Sequence, residues 1–416
     1  MSQKRIYLCL AHMSGNEMKY IQEAFDTNWV VPLGPNVNGF EADLKAFCGD
    51  ESKEVVALSA GTAAVHLALL ACGVGPGDEV LVQSFTFCAS SHPVTYLGAT
   101  PVFVDSEADT WNMDPVLLEE AIKDRIAQTG KKPKAIVPVY LYGMPAKLDE
   151  IMAVAQKYDI PVVEDAAEGM GSRYKNKVCG TFGRYGVLSF NGNKMITTSG
   201  GGALICPDAA TKQEIMFYAT QARESYPYYQ HEHIGYNYRM SNICAGIGRG
   251  QMTVLEDHIR HHQHVFALYK ELLQDVLGIT LHENPSADYD SNYWLNTILL
   301  DENLKVTGQE HAYGAAIQGA VGGAAGVTHA AKTLRTDCEP NANVEAMRLA
   351  LDAAGIESRP LWKPMHKQPV YAQNPAYING VSEALFKQGL CLPSGPCVTD
   401  EDVAYIVEQI KKSIVG

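Results

Sequence analysis

Between residues 55 and 206, short runs rich in Val, Ile and other strand-forming residues alternate with longer stretches whose apolar residues recur at helical spacing. This alternation predicts a mostly parallel β-sheet with helices on both faces. The seven predicted strands are VVAL (55–58), EVLVQ (79–83), PVFVD (101–105), KAIVPVY (134–140), IPVVED (160–165), GVLSF (186–190) and GGALIC (201–206). The intervening helices are predicted to begin near Thr62, Phe87, Asp114, Lys147 and Ala166. Ligands of such sheets bind at the carboxyl ends of the strands, so a functional site is expected there.

After Asp208 the pattern changes to long helices, and the stretch that begins SNICAGIG is predicted to form a connecting helix that runs to about residue 275. Shorter elements follow, with a strand at 292–300, a helix at 343–355 and a last helix at 400–415. We therefore predict an α/β protein with a large domain and a smaller C-terminal α+β domain. Residues 1–255 hold an N-terminal segment and the large domain, and residues 256–416 hold the connecting helix and the small domain.

The segment 312–332 is rich in Gly and Ala. Its composition fits either a flexible flap or a tightly packed helix of small residues.

The chain has 416 residues, of which 46% are hydrophobic and 19% charged, and this is enough to bury a large core. Its formal net charge of −14 argues against a protein that binds nucleic acid or an anionic membrane surface. The ten cysteines lack the spacing of zinc sites and are expected to be reduced thiols. The N-terminal apolar run is too short for a signal peptide, and Ser59, Gly61 and Thr62 divide the apolar stretch 55–75 into a strand and a helix. We therefore expect a cytoplasmic protein without membrane insertion.

Lys194 lies in the loop SFNGNKMITTSGGG (189–202), among small and polar residues with three glycines behind it. Two interpretations are open. The lysine is either a solvated surface residue or an amine that forms a Schiff base with a carbonyl, most often that of pyridoxal phosphate.

Phosphate donors are predicted at the start of the helix after the first strand. In SAGTAA (59–64) the chain leaves a strand and begins a helix, so backbone N–H groups and a hydroxyl point at the space above the strand end. The arrangement suits a phosphate, but Ser59 or Thr62 could equally act as a simple N-cap. Ser189 and Asn191 are candidates for further phosphate donors.

Asp165 ends the apolar strand IPVVED. A carboxylate at this position is either an N-cap of the helix predicted from Ala166 or the partner of a buried cation, such as a protonated pyridine nitrogen.

Four histidines lie in HIRHHQH (258–264), and His258 and His262 have the i, i+4 spacing that a metal ion could use. No carboxylate motif accompanies them, so we interpret the segment as the solvated face of a long helix and assign no metal site. The glycine patterns GVGPG and GIGRG lack the G-x-G-x-x-G order and do not follow strands, which argues against a dinucleotide-binding dehydrogenase.

An ordered series of motifs resembles the DegT-type sugar aminotransferases, which belong to the aspartate-aminotransferase fold of pyridoxal phosphate enzymes. The resemblance covers nearly the whole chain, although the Gly/Ala-rich segment departs from it. The motifs are GPNVNGFE (34–41), SAGTAAVHLAL (59–69), GPGDEV (75–80), SFTF (84–87), GATPVFVD (98–105), YGMP (142–145), VEDAAE (163–168), SFNGNK (189–194) and GYNYRMS (235–241).

The resemblance implies roles for residues at matching positions. Lys194 is similar to the Schiff-base lysine, Asp165 to the partner of the pyridinium nitrogen, and Phe87 to the ring that stacks on the cofactor. The implied phosphate contacts are Thr62, Ala63, Ser189, Asn191 and, from the other subunit of a homodimer with shared sites, Asn237. Glu168 stands where many relatives have Gln or His near the cofactor hydroxyl. The implied reaction uses L-glutamate as amino donor and passes through pyridoxamine phosphate.

A finer resemblance lies in NGNKMITTSGGG and ESRPLWKPMH (357–366), which are similar to enzymes acting on nucleotide-linked 4-keto-6-deoxy sugars. It implies amination at C4 of a UDP-linked 2-acetamido-2,6-dideoxy-4-keto hexose in polysaccharide biosynthesis. Arg359, Trp362, Lys363 and His366 are predicted to bind the nucleotide sugar, unless this basic loop is simply solvated. A 3-keto sugar aminotransferase and a catalytically silent regulatory protein of the same fold are the alternatives.

Overall fold

The computed structural model of the protein describes residues 5–313 and 338–415. Apart from Ala312 and Tyr313, the Gly/Ala-rich segment 312–332 lies outside the described residues. The α-helices are α1 (Glu17–Asp26), α2 (Pro35–Cys48), α3 (Gly61–Ala71), α4 (His92–Tyr96), α5 (Pro115–Thr129), α6 (Leu148–Tyr158), α7 (Ala209–Ala219), α8 (Asn242–Met252), α9 (Leu255–Leu273), α10 (Ala342–Ala353), α11 (Val381–Gln388) and α12 (Asp400–Ser413). The strands are β1 (Glu54–Leu58), β2 (Glu79–Gln83), β3 (Thr100–Val104), β4 (Ala135–Val137), β5 (Val163–Asp165), β6 (Arg173–Tyr174), β7 (Lys177–Val178), β8 (Tyr185–Ser189), β9 (Gly202–Cys206), β10 (Ile279–Leu281), β11 (Tyr289–Asp290), β12 (Asn296–Leu300), β13 (Arg359–Pro360), β14 (Ala376–Tyr377) and β15 (Gly389–Leu392).

All seven predicted strands are present, divided between two four-stranded sheets with the orders β1-β9-β8-β5 and β14-β3-β2-β4. Neighbours in the second sheet are parallel, as are β5 and β8, whereas β9 is antiparallel to β1 and β8. Isolated parallel bridges join Ile136 to Val162 and Val139 to Asp165, so β4 and β5 face each other where the sheets meet. Pro138 lies between these bridges and has no N–H to donate, so the ladder is interrupted there. The predicted α/β fold with a mostly parallel sheet is confirmed, but an uninterrupted seven-stranded sheet is not.

Successive residues of the central strands face two different hydrophobic clusters, which is the pattern of a sheet covered on both sides. In β2, Leu81 packs in the cluster that includes residues of α5 and α6, while Val80 and Val82 pack in the cluster that includes residues of α3. The apolar stretch 55–75 is therefore a buried strand followed by a buried helix. Within the described ranges, none of the helices combines the length and the apolar character needed to cross a bilayer.

A third hydrophobic cluster joins α9, α10 and α12 to the antiparallel sheet β10-β12-β15-β13. The strand and two helices predicted here correspond to β12, α10 and α12. Three pairings cross the boundary predicted at residue 255, because Ile6 bridges to Ile356, β14 pairs with β3 and β11 pairs with β6. The division into residues 1–255 and 256–416 stays a prediction.

The helix predicted to begin at Ala166 is wrong, because residues 166–172 form turns. Nδ2 of Asn292 donates to the backbone carbonyls of Glu168 and Met170 at 2.7 and 2.9 Å, so tertiary hydrogen bonds replace helical ones. Gly171, with a φ of 88°, allows the chain to reverse at this point.

The predicted connecting helix is two helices, α8 and α9, separated by Thr253 and Val254. The hydroxyl of Thr253 donates to the carbonyl of Gly250 at 2.6 Å, which helps to end α8. The solvated-face interpretation of residues 258–264 is wrong for His258 and His262, which are buried.

Candidate active site

A cavity of about 290 Å³ opens at the carboxyl ends of β2, β5 and β8, where a parallel sheet places its ligands. The predicted residues that line it are Thr62, Phe87, Asp165, Glu168, Ser189, Asn191, Lys194 and Trp362. Ser90 and Trp294, which were not predicted, also line it. Five predicted residues of the described chain do not line it, namely Ala63, Asn237, Arg359, Lys363 and His366.

Lys194 extends into the cavity from the irregular loop that follows β8. Its Nζ lies 3.4 Å from Oε1 of Glu168 and 4.1 Å from the ring centroid of Trp294. Its backbone N–H donates to the carbonyl of Asn191 at 3.0 Å. The side chain is only 12% exposed, which favours a reactive amine over a solvated surface lysine.

Asp165 ends β5, and its buried carboxylate lines the cavity. The hydroxyl of Ser90 donates to Oδ2 at 2.6 Å, and the backbone N–H of Ala167 donates to Oδ1 at 3.1 Å. Burial raises the pKa of Asp165, while these hydrogen bonds and the charge of Lys194 oppose the rise. Since no helix begins at Ala166, the N-cap interpretation is wrong, and the carboxylate is free to face a positively charged group in the cavity.

Glu168 lies between the amine of Lys194 and the backbone of Tyr142. Its Oε1 faces Lys194, and its Oε2 accepts the backbone N–H of Tyr142 at 2.7 Å. Burial raises the pKa of Glu168 to about 7, although the charge of Lys194 opposes the rise. The hydroxyl of Tyr142 in turn accepts the backbone N–H of Trp362 at 2.9 Å. Glu168 is thereby connected to the side of the cavity that Trp362 forms.

The N-terminus of α3 borders the same cavity. Its N-cap residue is Ala60, and no side chain of the described residues forms a capping hydrogen bond there. The N-cap interpretation of Ser59 or Thr62 is therefore wrong, and N–H groups of the first turn are left for a ligand. A Cβ atom built on Gly61 would lie 3.1 Å from Cβ of Ser189, so this serine packs against the start of the helix. Ala63 is buried in the same turn.

These groups fit pyridoxal phosphate. The start of α3 supplies donors for a phosphate, and the buried carboxylate of Asp165 suits a protonated ring nitrogen. Phe87, which is 53% exposed, offers an aromatic face, and Lys194 supplies an amine. All four line one cavity.

A second pocket of about 450 Å³ adjoins the first, with which it shares Thr86, Phe87 and Trp362. Lys363 borders this second pocket. The ring centroid of Trp362 lies 5.4 Å from that of Phe87 and 5.3 Å from that of Tyr142. Of the residues predicted to bind the nucleotide sugar, Trp362 thus lines both pockets and Lys363 lines the second one.

The other two predicted substrate residues have protein partners. Nη2 of Arg359 donates to Glu357 at 2.8 Å, and Nδ1 of His366 lies 2.6 Å from the hydroxyl of Ser84. Burial lowers the pKa of His366. A role for Arg359 and His366 in binding the nucleotide stays a prediction.

Asn237 lies in a separate, exposed pocket of about 530 Å³ that is also lined by Trp29, Leu33 and Gln221. It therefore does not reach the Lys194 cavity of its own chain. This position is compatible with a contact to another subunit, and the predicted phosphate role stays a prediction.

Ser90 and Trp294 were missed because neither carries a local signal. Ser90 is one of several small residues after β2, and Trp294 lies in a stretch interpreted as a strand from its apolar residues. The strand begins only at Asn296, and Tyr293 has a φ of 48° that a regular strand does not contain.

The model of the DegT/DnrJ/EryC1/StrS aminotransferase family matches residues 12–322 and 320–411. Over 409 residues the chain is 44% identical to EpsN of Bacillus subtilis (strain 168), which is provisionally named a pyridoxal phosphate-dependent aminotransferase, with 97% of this chain and 95% of that protein covered. It is 33% identical over 411 residues to the GDP-perosamine synthase of Caulobacter vibrioides, with 99% of each covered. The crystal structure of a DegT DnrJ EryC1 StrS aminotransferase from Brucella abortus has a TM-score of 0.81 at 29% identity, covering 96% of this chain and 95% of that chain. The chain therefore belongs to the DegT/DnrJ/EryC1/StrS aminotransferase family and is a pyridoxal phosphate-dependent aminotransferase.

Proposed function

We propose that the chain transfers the amino group of L-glutamate to C4 of a UDP-linked 2-acetamido-2,6-dideoxy-4-keto hexose, for polysaccharide or glycan biosynthesis. One observation carries the proposal: the cavity of Lys194 adjoins a second pocket that has aromatic walls and Lys363 at its border. An amine beside an aromatic and cationic pocket suits a ligand with a carbonyl at one end and a diphosphate-linked base at the other. The similarity to a GDP-perosamine synthase supports a nucleotide-linked sugar.

The residues of the cavity divide the work of the reaction. When bound, pyridoxal phosphate would supply a carbonyl group that reacts with one amine after another. Its ring would take up negative charge from the reacting carbon. Asp165 keeps the ring nitrogen protonated, because its buried carboxylate, fixed by Ser90 and Ala167, stabilises a positive partner. The first turn of α3 and Ser189 hold the phosphate.

Lys194 moves the proton. When its amine is free, Nζ is positioned to take a proton from the α-carbon of glutamate in the first half-reaction and to donate a proton to C4 of the acceptor sugar in the second. Glu168 and Trp294 fix the position of Nζ, at 3.4 Å from a carboxylate oxygen and 4.1 Å from a ring centroid. The low exposure of the side chain limits exchange of the proton with water.

We further propose a homodimer in which Asn237 serves the partner's cavity. A run of exposed apolar residues, Trp29, Val30, Val31 and Leu33, lies beside the pocket of Asn237. Exposed apolar residues grouped in this way indicate a surface that is covered in the assembly, and a two-fold axis would present the same patch from both copies. The cytoplasmic location inferred from the sequence belongs with this proposal and is tested by cell fractionation.

The substrate is tested with a panel of UDP- and dTDP-linked 3-keto and 4-keto sugars, offered with glutamate to the enzyme loaded with its cofactor. Mass spectrometry and NMR identify the amino sugars formed. The proposal expects amination of the UDP-linked 4-keto sugar. Exclusive amination of a 3-keto sugar, or of an acceptor without a nucleotide, would overturn the substrate and leave the aminotransferase chemistry intact.

The nucleotide end is tested by Lys363→Ala and Arg359→Ala. Loss of a cation should raise the KM for the sugar nucleotide and leave the glutamate half-reaction unchanged, because Lys194 and Asp165 are untouched. Lys387→Ala is a matched control, since Lys387 pairs with Glu383 and does not line either pocket. An unchanged KM in both test variants would mean that this segment does not bind the nucleotide.

The shared site is tested by mixing two inactive variants, Lys194→Ala and a cofactor-weak variant of Asn237. A hybrid dimer with shared sites has one cavity that carries both lesions and one that carries neither. Activity should therefore return in part. No recovery in hybrids verified by mass spectrometry would place each site within one chain.

A further inference from the structure

The helix α9 carries three residues at four-residue spacing that lie behind the loops of the active site. His258, His262 and Phe266 form this stripe, and both histidines are buried. Nδ1 of His258 lies 3.1 Å from the backbone carbonyl of Met195, and Nδ1 of His262 lies 3.1 Å from that of Tyr293. The spacing that could suggest a metal site in the sequence therefore serves two backbone hydrogen bonds.

The two carbonyls belong to the residues next to Lys194 and Trp294 in the sequence. Met195 follows Lys194, and Tyr293 precedes Trp294, whose ring centroid lies 4.1 Å from the lysine Nζ. The indole Nε1 of Trp294 donates to the carbonyl of Asn193 at 2.7 Å, so the two loops also bind each other. One helix thus supports both loops at once.

The protonation of the two rings follows from their partners. A carbonyl oxygen only accepts hydrogen bonds, so each ring carries its proton on Nδ1. Burial lowers the pKa of His258, and it lowers the pKa of His262 to about 3, which favours the neutral form of both rings. Nε2 of His258 is then an acceptor, and Nδ1 of His12 lies 3.3 Å from it.

The supported backbone is in a costly conformation. Tyr293 has a φ of 48°, which a non-glycine residue keeps only when its surroundings hold it. Phe266 stacks on the ring of Tyr293 with centroids 3.8 Å apart and planes 7° apart, and His262 holds its carbonyl. The direction in which the chain enters Trp294 is therefore set by α9.

We propose that His258 and His262 are positioning residues for Lys194, which act by donating Nδ1–H hydrogen bonds to the backbone on either side of the amine. Neither ring lines the cavity formed by the described residues, so neither touches the reacting atoms. The proposal rests on Lys194 being the reactive amine and does not depend on which sugar is aminated.

The test compares Asn with Leu at each histidine position. Asn and Leu have nearly the same shape, but only Asn has an N–H close to the place of Nδ1. His264→Leu is the control, because His264 is exposed on the same helix and pairs with Asp400 at 3.0 Å. Each variant is stripped of cofactor and its melting temperature is measured. The rate at which the near-visible band of lysine-bound cofactor appears after addition of pyridoxal phosphate is then recorded, together with the pH midpoint of that band.

The Leu variants should capture the cofactor about tenfold more slowly, as expected from the loss of one hydrogen bond, and the Asn variants should stay within about twofold of the wild type. The pH midpoint of the near-visible band should fall by about half a unit in the Leu variants. A displaced Trp294 ring would stabilise the positively charged form of the Lys194 nitrogen less. Both measurements are made well below the melting temperature, so a loss of stability alone would not move them.

The proposal would be overturned if the Asn and Leu variants had the same capture rate and the same pH midpoint, whether both were slow or both were like the wild type. The shape of the side chain, and not its N–H, would then decide the result. If a Leu variant does not fold, Gln replaces it, because its amide extends one bond beyond the position of Nδ1 and should behave as Leu does. Borohydride reduction and peptide mapping of the wild type test the role of Lys194 separately from the role of the histidines. A label on another lysine would refute the role of Lys194, whereas a label on Lys194 with equal Asn and Leu variants would refute only the role of the histidines.

Discussion

Asp165→Asn is the sharpest test of the proposed chemistry, because it removes a buried negative charge and keeps the shape of the side chain. The amide can still meet both neighbours of the carboxylate, since its oxygen accepts the N–H of Ala167 and its NH2 group donates to the hydroxyl of Ser90. We therefore expect the fold to be retained.

The magnitude follows from the burial of the charge. Removing one partner of a buried charge pair costs about 3–5 kcal/mol, and each 1.4 kcal/mol is about tenfold in rate, so the glutamate half-reaction should slow by roughly 10²- to 4 × 10³-fold in both directions. Ser90→Ala is the matched control, because it removes the 2.6 Å hydrogen bond to Asp165 and keeps the charge. Its effect should be about tenfold or less, as expected for one hydrogen bond.

The assay is stopped-flow absorbance at the near-visible cofactor band in single turnovers, first with glutamate and then with 2-oxoglutarate in the reverse direction. Melting temperatures of the loaded proteins show whether the fold is kept. The reasoning would be refuted if folded Asp165→Asn reacted within about threefold of the wild type in both directions, or if Ser90→Ala were the slower of the two.

Three further predictions concern the amine, its neighbouring carboxylate and the backbone behind them. Lys194→Ala should abolish turnover and the borohydride-reducible band, because Lys194 is the amine among the described residues that line the cavity; a reduced peptide labelled at another lysine would contradict this. Burial raises the pKa of Glu168 from its ordinary 4.5 to about 7, so its proton stabilises the fold below pH 4.5 and this contribution is lost as the pH rises through 7. Urea denaturation of the cofactor-free protein at about pH 5 and about pH 7.5 should show a fall in the free energy of unfolding that is about 2–3 kcal/mol larger for the wild type than for Glu168→Gln, and equal falls would exclude the raised pKa. Gly143→Ala should destabilise by about 3 kcal/mol in the same assay, because its Cβ would overlap Oδ1 of Asn292 at a φ of 98°, whereas Gly130→Ala, with a φ of 71° and open space, should cost only about 1 kcal/mol.

The helices and strands that could be predicted are those in which the apolar residues follow one regular spacing along the whole segment. The runs VVAL and EVLVQ are buried on both faces, so their apolar residues identify them as central strands. The helix predicted from Ala166 failed for a nonlocal reason. Its carbonyls are bound by Asn292, a residue more than a hundred positions away, and local sequence does not contain that partner.

The candidate site divides in the same way. Local sequence left two interpretations open for Asp165 and for Lys194, and the family resemblance implied their roles; their meeting in one cavity follows from their places at the carboxyl end of β5 and just after β8. Trp294 could not be predicted, since its position depends on an irregular segment that was interpreted as a regular strand. His258 and His262 were assigned to solvent because polar residues on a helix usually face water, and their burial becomes understandable only when the carbonyls of Met195 and Tyr293 are seen.

The loops around the amine lack strand or helix partners for several buried backbone groups, and polar side chains from distant elements replace those partners. Asn292 binds the turn after Asp165, and the two histidines of α9 bind the loop after Lys194 and the segment before Trp294. All three donors come from beyond residue 255, whereas Lys194, Asp165 and the start of α3 come from before it. Buried donors of this kind are costly to lose, because each leaves a carbonyl without a partner. The boundary predicted from the change in sequence pattern therefore separates two stretches of chain, but the loops around the Lys194 amine are hydrogen-bonded by residues from both.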